Sequence, residues 1–155
     1  MQVERTASVT REVTIDASPE TVFSFFTDPA KMARWKGAEV QAEATPGGLY
    51  RLVVNAGAIA TGSYVEIDPP RRVVFTWGWE GNELVPPGSS TVEITLTPGG
   101  DGTRVVLHHF DLPVGEDVPH GEGWDHFLPR LVIAAAGGDP GPDPWAGSAP
   151  AEGGM

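Results

Sequence analysis

Four histidines, five tryptophans and no cysteine are the side chains from which this 155-residue chain can build a chemical site. His109 closes the alternating run Val105, Leu107, His109, so the parity that buries the valine and the leucine turns its imidazole inward as well. An imidazole titrating near neutrality can donate a proton to a ligand carbonyl or act as a general base. No catalytic set is complete, and His109 is the single candidate; the competing reading is a hydrogen-bonded histidine at the edge of the core. His108 falls on the opposite, solvated face. A second group, His120, Glu122, Asp125 and His126, gathers near the start of the last helical segment, with Glu122 and His126 four apart. Two histidines six apart lack the four-residue spacing that turns two rings onto one ion, so no metal is expected there. The plainer role is to serve the helix start, Glu122 complementing the dipole and the polar side facing water.

The aromatic set Trp35, Tyr50, Tyr64, Trp77, Trp79 and Trp124 is more informative. Indole and phenol rings are large and rigid, and several converging on a partly filled interior sandwich an apolar or aromatic molecule. The expected lining is Trp35, Tyr50, Tyr64, Trp77, His109, Trp124 and Phe127; the rival is that each ring is plain core. Tyr64 sits in a stretch, Thr61 to Ile67, whose parity fits either face.

These residues need elements to hold them. Thr6 to Ile15 alternates as a half-buried strand. Ser18-Pro19-Glu20 and Asp28-Pro29 are two helix starts, each with a capping oxygen and a proline that has no amide to waste, and Gly37 ends the second. Met32 and Trp35 lie one turn apart on its apolar side. From Glu39 to Leu96 turn residues at Pro46-Gly47-Gly48, Ala56-Gly57, Asp68-Pro69-Pro70 and Gly81-Asn82 cut a meander of antiparallel strands. A further strand carrying Val105, Leu107 and His109 follows the turn from Pro98 to Gly102, and the loop from Gly81 to Ser89 is expected to be exposed. Trp124, Phe127, Leu128, Leu131, Ala134 and Ala135 then recur at helical spacing, which predicts a long closing helix. Pro129 inside that pattern removes one amide and predicts either a bend that opens the interior, a tolerated kink, or a helix that begins later.

Composition narrows the partners. Twenty glycines and fifteen prolines exclude an all-helical bundle. A net charge of −11 repels phosphate backbones and anionic headgroups, so nucleic acid and membrane are excluded as partners. Without cysteine there is no disulfide, thiolate metal site or cysteine nucleophile. No apolar leader precedes Asp16 and no run of about 18 apolar residues occurs, which predicts a soluble, cytoplasmic protein. Residues 1–137 are expected to form one α+β domain, and residues 138–155, rich in glycine and proline, a disordered tail whose one bulky residue is Trp145.

Strand, two short helices, antiparallel meander and closing helix pack as a curved sheet around the last helix, with room left between them. The segments FTDPAKMARW, EIDPPRRVVFTWGWEG, PPGSSTVEITL and HGEGWDHFLPRL resemble the START-like superfamily, also called SRPBCC or Bet v 1-like. Within it they are most similar to the subfamily named after the activator of the heat-shock-protein-90 ATPase. The resemblance spans about Val9 to Ala136 and implies a helix-grip fold with a pocket between sheet and last helix; it also implies that a histidine at the position of His109 is common. That superfamily includes lipid carriers, polyketide cyclases and hydrolases, so fold is implied more sharply than function. The expected function is binding of a small hydrophobic molecule, without a cofactor. The alternatives are a cofactor-free cyclase or hydrolase using the same pocket, and co-chaperone action on a heat-shock-protein-90 ATPase. A second copy of the chain is the remaining candidate partner.

Overall fold

Strand β1 (Ala7–Ile15) buries Val9 and Ile15 and exposes the threonines and Glu12 between them. Helix α1 (Pro19–Ser24) starts where the Ser18 hydroxyl accepts the amide of Thr21 at 3.2 Å, and α2 (Pro29–Met32) where the Asp28 carboxylate accepts the amide of Ala30 at 2.9 Å. Then follow β2 (Glu39–Ala42), β3 (Leu49–Asn55), β4 (Ala58–Asp68), β5 (Arg72–Trp77), β6 (Ser90–Gly99), β7 (Gly102–Leu112) and α3 (Asp117–Ala135). This computed structural model describes residues 6–36, 39–55, 57–141 and 143.

The strands form one curved antiparallel sheet in the order β1-β7-β6-β5-β4-β3-β2, and α3 packs on its concave, apolar face: a helix-grip fold. A register shift between Tyr64 and Glu66 resolves the ambiguous parity of β4. Ala58, Ala60 and Tyr64 all face inward, and Tyr64 is buried with its hydroxyl donating to the Phe26 carbonyl at 2.8 Å. Among the described residues no helix is long and apolar enough to cross a membrane.

Four local expectations are corrected. The loop from Gly81 to Ser89 is mostly exposed but sends Val85 fully into the core, where its carbonyl accepts the Trp79 amide at 2.8 Å. Gly78 permits this approach, because a Cβ there would collide with the Pro86 carbonyl. Helix α3 begins at Asp117, so Asp117 is the acid of the first turn and Glu122 lies beyond it. His120 is buried instead of facing water, since its turn packs against the sheet. Because α3 starts twelve residues before Pro129 and continues past it to Ala135, the later-starting helix is excluded.

Beyond α3, Arg34 donates to the Gly138 carbonyl at 3.2 Å and Arg130 to the Gly141 carbonyl at 2.9 Å. His126 Nε2 lies 2.8 Å from Asp143 Oδ1. These contacts lay residues 138–141 and Asp143 back along α2 and α3. Residues 142 and 144–155, Trp145 among them, lie outside the described residues.

Candidate ligand-binding site

The rings expected to line the interior meet there. Trp77 of β5 contacts Trp79 edge-on at 5.3 Å between centroids and Trp124 of α3 at 5.6 Å. Tyr50 of β3 stacks on Phe75 at 4.1 Å and meets Tyr64 edge-on at 5.5 Å. Trp35, just past α2, packs edge-on against Phe26 and donates its indole hydrogen to the Phe25 carbonyl at 3.0 Å. Burial holds the Tyr50 hydroxyl well above the usual phenol range, with Tyr64 adding to it, and raises Tyr64 as well.

At the meeting point of sheet and helix lies a side chain that the pattern analysis missed. Lys36 is 2% exposed, and its ammonium nitrogen stands 4.1 Å from the Trp124 ring, 4.3 Å from Phe127, 4.7 Å from Trp77 and 5.9 Å from Trp35. Four ring faces stabilise a cation by their quadrupoles, but they supply no hydrogen-bond acceptor. Among the described residues no acceptor or carboxylate lies within bonding distance of the Lys36 nitrogen. Loss of water therefore dominates, and burial pushes the amine down to about 7, with the Asp143 carboxylate pulling weakly the other way.

The signal for Lys36 was present. Its amide donates to the Met32 carbonyl at 2.9 Å, so Met32, Trp35 and Lys36 stand at i, i+3 and i+4 of one helical stripe. A lysine at the last of these places reads as a solvated helix end, which is where lysines usually lie.

A buried donor lies in the same ring cluster. The Trp77 indole N–H has no hydrogen-bond partner among the described residues, although Trp77 is 1% exposed. A buried donor without an acceptor costs about 1–3 kcal/mol, so the unpaired indole N–H in the cluster that cages the amine marks a place where an acceptor atom would be stabilised.

The histidines are differently employed. Trp124 donates its indole hydrogen to His109 Nδ1 at 3.1 Å, which puts the imidazole proton on Nε2. Nε2–H then donates to the Ser90 hydroxyl at 2.8 Å, and that hydroxyl donates to the Trp77 carbonyl at 2.8 Å. Both ring nitrogens are occupied. Burial first, then His120, Lys36 and His108, hold His109 well below the usual imidazole range, so it is neutral. His120 accepts from the Trp79 indole at 3.0 Å on Nε2 and donates from Nδ1 to the Glu116 carbonyl at 2.8 Å. His120 and His126 thus face different partners, and among the described residues no group of three or more metal-ligating side chains forms.

The fold, the aromatic interior and the order of elements can be set against known proteins. Residues 16–136 match the family described as "Activator of Hsp90 ATPase homolog 1-like protein". The chain belongs to the AHSA1 family. An AHSA1-like protein from Rhizobium etli shares 46% identity over 96% of this chain and 93% of its own, with a TM-score of 0.73. DynU16, a protein of the dynemicin biosynthetic locus, shares 27% identity over 86% of this chain and 48% of its own, with a TM-score of 0.74. An uncharacterised protein of Schizosaccharomyces pombe is 26% identical over 132 residues, 81% of this chain; the match spans only 36% of that relative's length. The AHSA1 family lies within the START-like superfamily, in agreement with the helix-grip architecture.

Proposed function

We propose that this AHSA1-family domain binds a small apolar or aromatic molecule that carries an oxygen acceptor. The ring cluster between the sheet and α3 receives the apolar part, and the Lys36 amine and the Trp77 indole N–H hold the acceptor. The observation that carries this reading is the Lys36 amine caged by ring faces beside a Trp77 indole N–H that has no acceptor among the described residues. A hydrophobic core gains nothing from either group, whereas a guest with a carbonyl or hydroxyl oxygen satisfies both. The similarity to DynU16, a protein of a biosynthetic locus, agrees with handling of a small organic molecule. Because the rings touch one another, a guest enters by displacing them locally.

The test compares naphthalene with 2-naphthalenemethanol and 2-acetylnaphthalene, using the shift in melting temperature and tryptophan quenching. The oxygen-bearing probes are expected to bind about tenfold more tightly than naphthalene, and Trp77→Phe, which keeps an aromatic ring but removes the N–H, narrows that gap severalfold. Absence of binding by all three probes contradicts the proposal.

Family membership over residues 16–136 carries a second reading, stimulation of a heat-shock-protein-90 ATPase. An ATPase assay of that chaperone with and without this protein separates the two, since ligand capture needs no chaperone.

A further inference from the structure

We infer that Lys36 is a nucleophile that captures aldehydes or ketones as an imine inside the aromatic cage. The inference rests on the ligand-binding reading above and narrows the acceptor-bearing guest to a carbonyl compound. An amine that served only to bind a carboxylate would be expected to have a counter-ion or hydrogen-bond acceptors around it; Lys36 has ring faces, and no acceptor within bonding distance among the described residues. The other lysine of the chain, Lys31, is placed differently: its ammonium donates to the Ser24 hydroxyl at 2.9 Å. Burial also leaves much of the Lys36 amine unprotonated near neutral pH, as nucleophilic attack requires.

The step balances without a cofactor. The Lys36 nitrogen lone pair attacks the carbonyl carbon, and the C–O π pair moves to oxygen. A proton passes from nitrogen to that oxygen, giving a neutral carbinolamine. Loss of the hydroxyl, which takes the second amine proton with it, leaves a neutral C=N bond and one molecule of water. The Trp77 N–H, a buried donor of the same cluster without an acceptor among the described residues, is suited to hold the oxygen as charge develops on it. A dry aromatic surround favours the dehydrated imine over the hydrated carbinolamine.

The experiment incubates the full chain with 2-naphthaldehyde and sodium cyanoborohydride, which reduces an imine to a stable secondary amine, and locates the adduct by peptide mapping. Binding of 2-naphthalenemethanol, which cannot form an imine, is measured in parallel. The expected result is one adduct on Lys36, formed at least tenfold faster than on Lys31 or the N-terminal amine, retained in Lys31→Arg and lost in Lys36→Met. An adduct confined to Lys31 and the N-terminus while 2-naphthalenemethanol binds overturns the nucleophile and leaves the binding reading standing. Failure of 2-naphthalenemethanol, 2-acetylnaphthalene and naphthalene alike to bind, with Lys36 unlabelled, overturns both.

Discussion

A lysine held among four aromatic rings costs the fold something that the pH dependence of stability can measure. In the unfolded chain the Lys36 amine titrates near the ordinary lysine value, whereas in the fold burial brings it to about 7. Between those values the unfolded state binds more protons, so stability rises with pH across that interval and the penalty is fully present below it. Lys36→Met keeps the length and apolar character of the side chain and removes the charge. Its unfolding free energy is expected to exceed that of the wild type by a few kcal/mol near pH 6, with the difference shrinking steadily toward pH 10. A constant difference across that range, measured by urea denaturation, would remove the argument that an ionisable amine is buried there. At this scale the sequence was half legible. Strand parity placed Tyr50, Trp77 and His109 inward, because a two-residue period leaves no other choice once one neighbour is buried. Lys36 was hidden because residue type and position conflict: its spacing from Met32 says buried, and its charge says solvated. The roles of the histidines were equally unreadable. His109 and His120 are occupied by the indoles of Trp124 and Trp79, whose partners lie 15 and 41 residues away in the chain.

Between elements, the same two indole–imidazole bonds latch α3 to the sheet. Trp124 ties the middle of α3 to β7, and His120 ties its second turn to the residues just after β5. The exposed Arg11–Asp125 pair at 2.7 Å joins α3 to β1 as well, but a solvated pair of this kind contributes about 0–1 kcal/mol. The indole bonds are buried and weigh more. Trp124→Phe leaves His109 Nδ1 without its donor and trims one wall of the cage, so a loss of about 1–3 kcal/mol is expected in urea denaturation. Asp125→Ala is expected to stay within about 1 kcal/mol of the wild type. Equal losses in the two variants would mean that the latch is not where α3 is held. Element starts were legible from Ser18-Pro19 and Asp28-Pro29, since a capping oxygen followed by proline is a local signal. The start of α3 at Asp117 was not, because Glu116 makes no side-chain cap bond and the segment before Trp124 carries glycines that obscure its period. Val85 was missed for a similar reason: its burial depends on Gly78 across the loop, which no local pattern reports.

For the molecule as a whole, an antiparallel sheet with one apolar face and one long helix admits few packings, and the helix-grip architecture followed from the order of elements. Whether the interior of such a fold holds a guest is a separate matter, decided by which polar groups the core leaves unsatisfied. Here, within the ring cluster, the Trp77 indole N–H lacks an acceptor among the described residues, and the Lys36 amine stands over the same ring, 4.7 Å from its centroid. A chain with lysines only at 31 and 36 allows this to be observed directly by NMR of protein labelled with carbon-13 at the lysine ε-carbon, titrated with pH and then with 2-naphthalenemethanol. One of the two signals should titrate near 7, be lost in Lys36→Met, and be the signal that moves when the alcohol binds. If neither signal titrates below the ordinary lysine range of about 10, or if the alcohol saturates the protein without moving the Lys36 signal, the caged amine is not the polar head of a binding site.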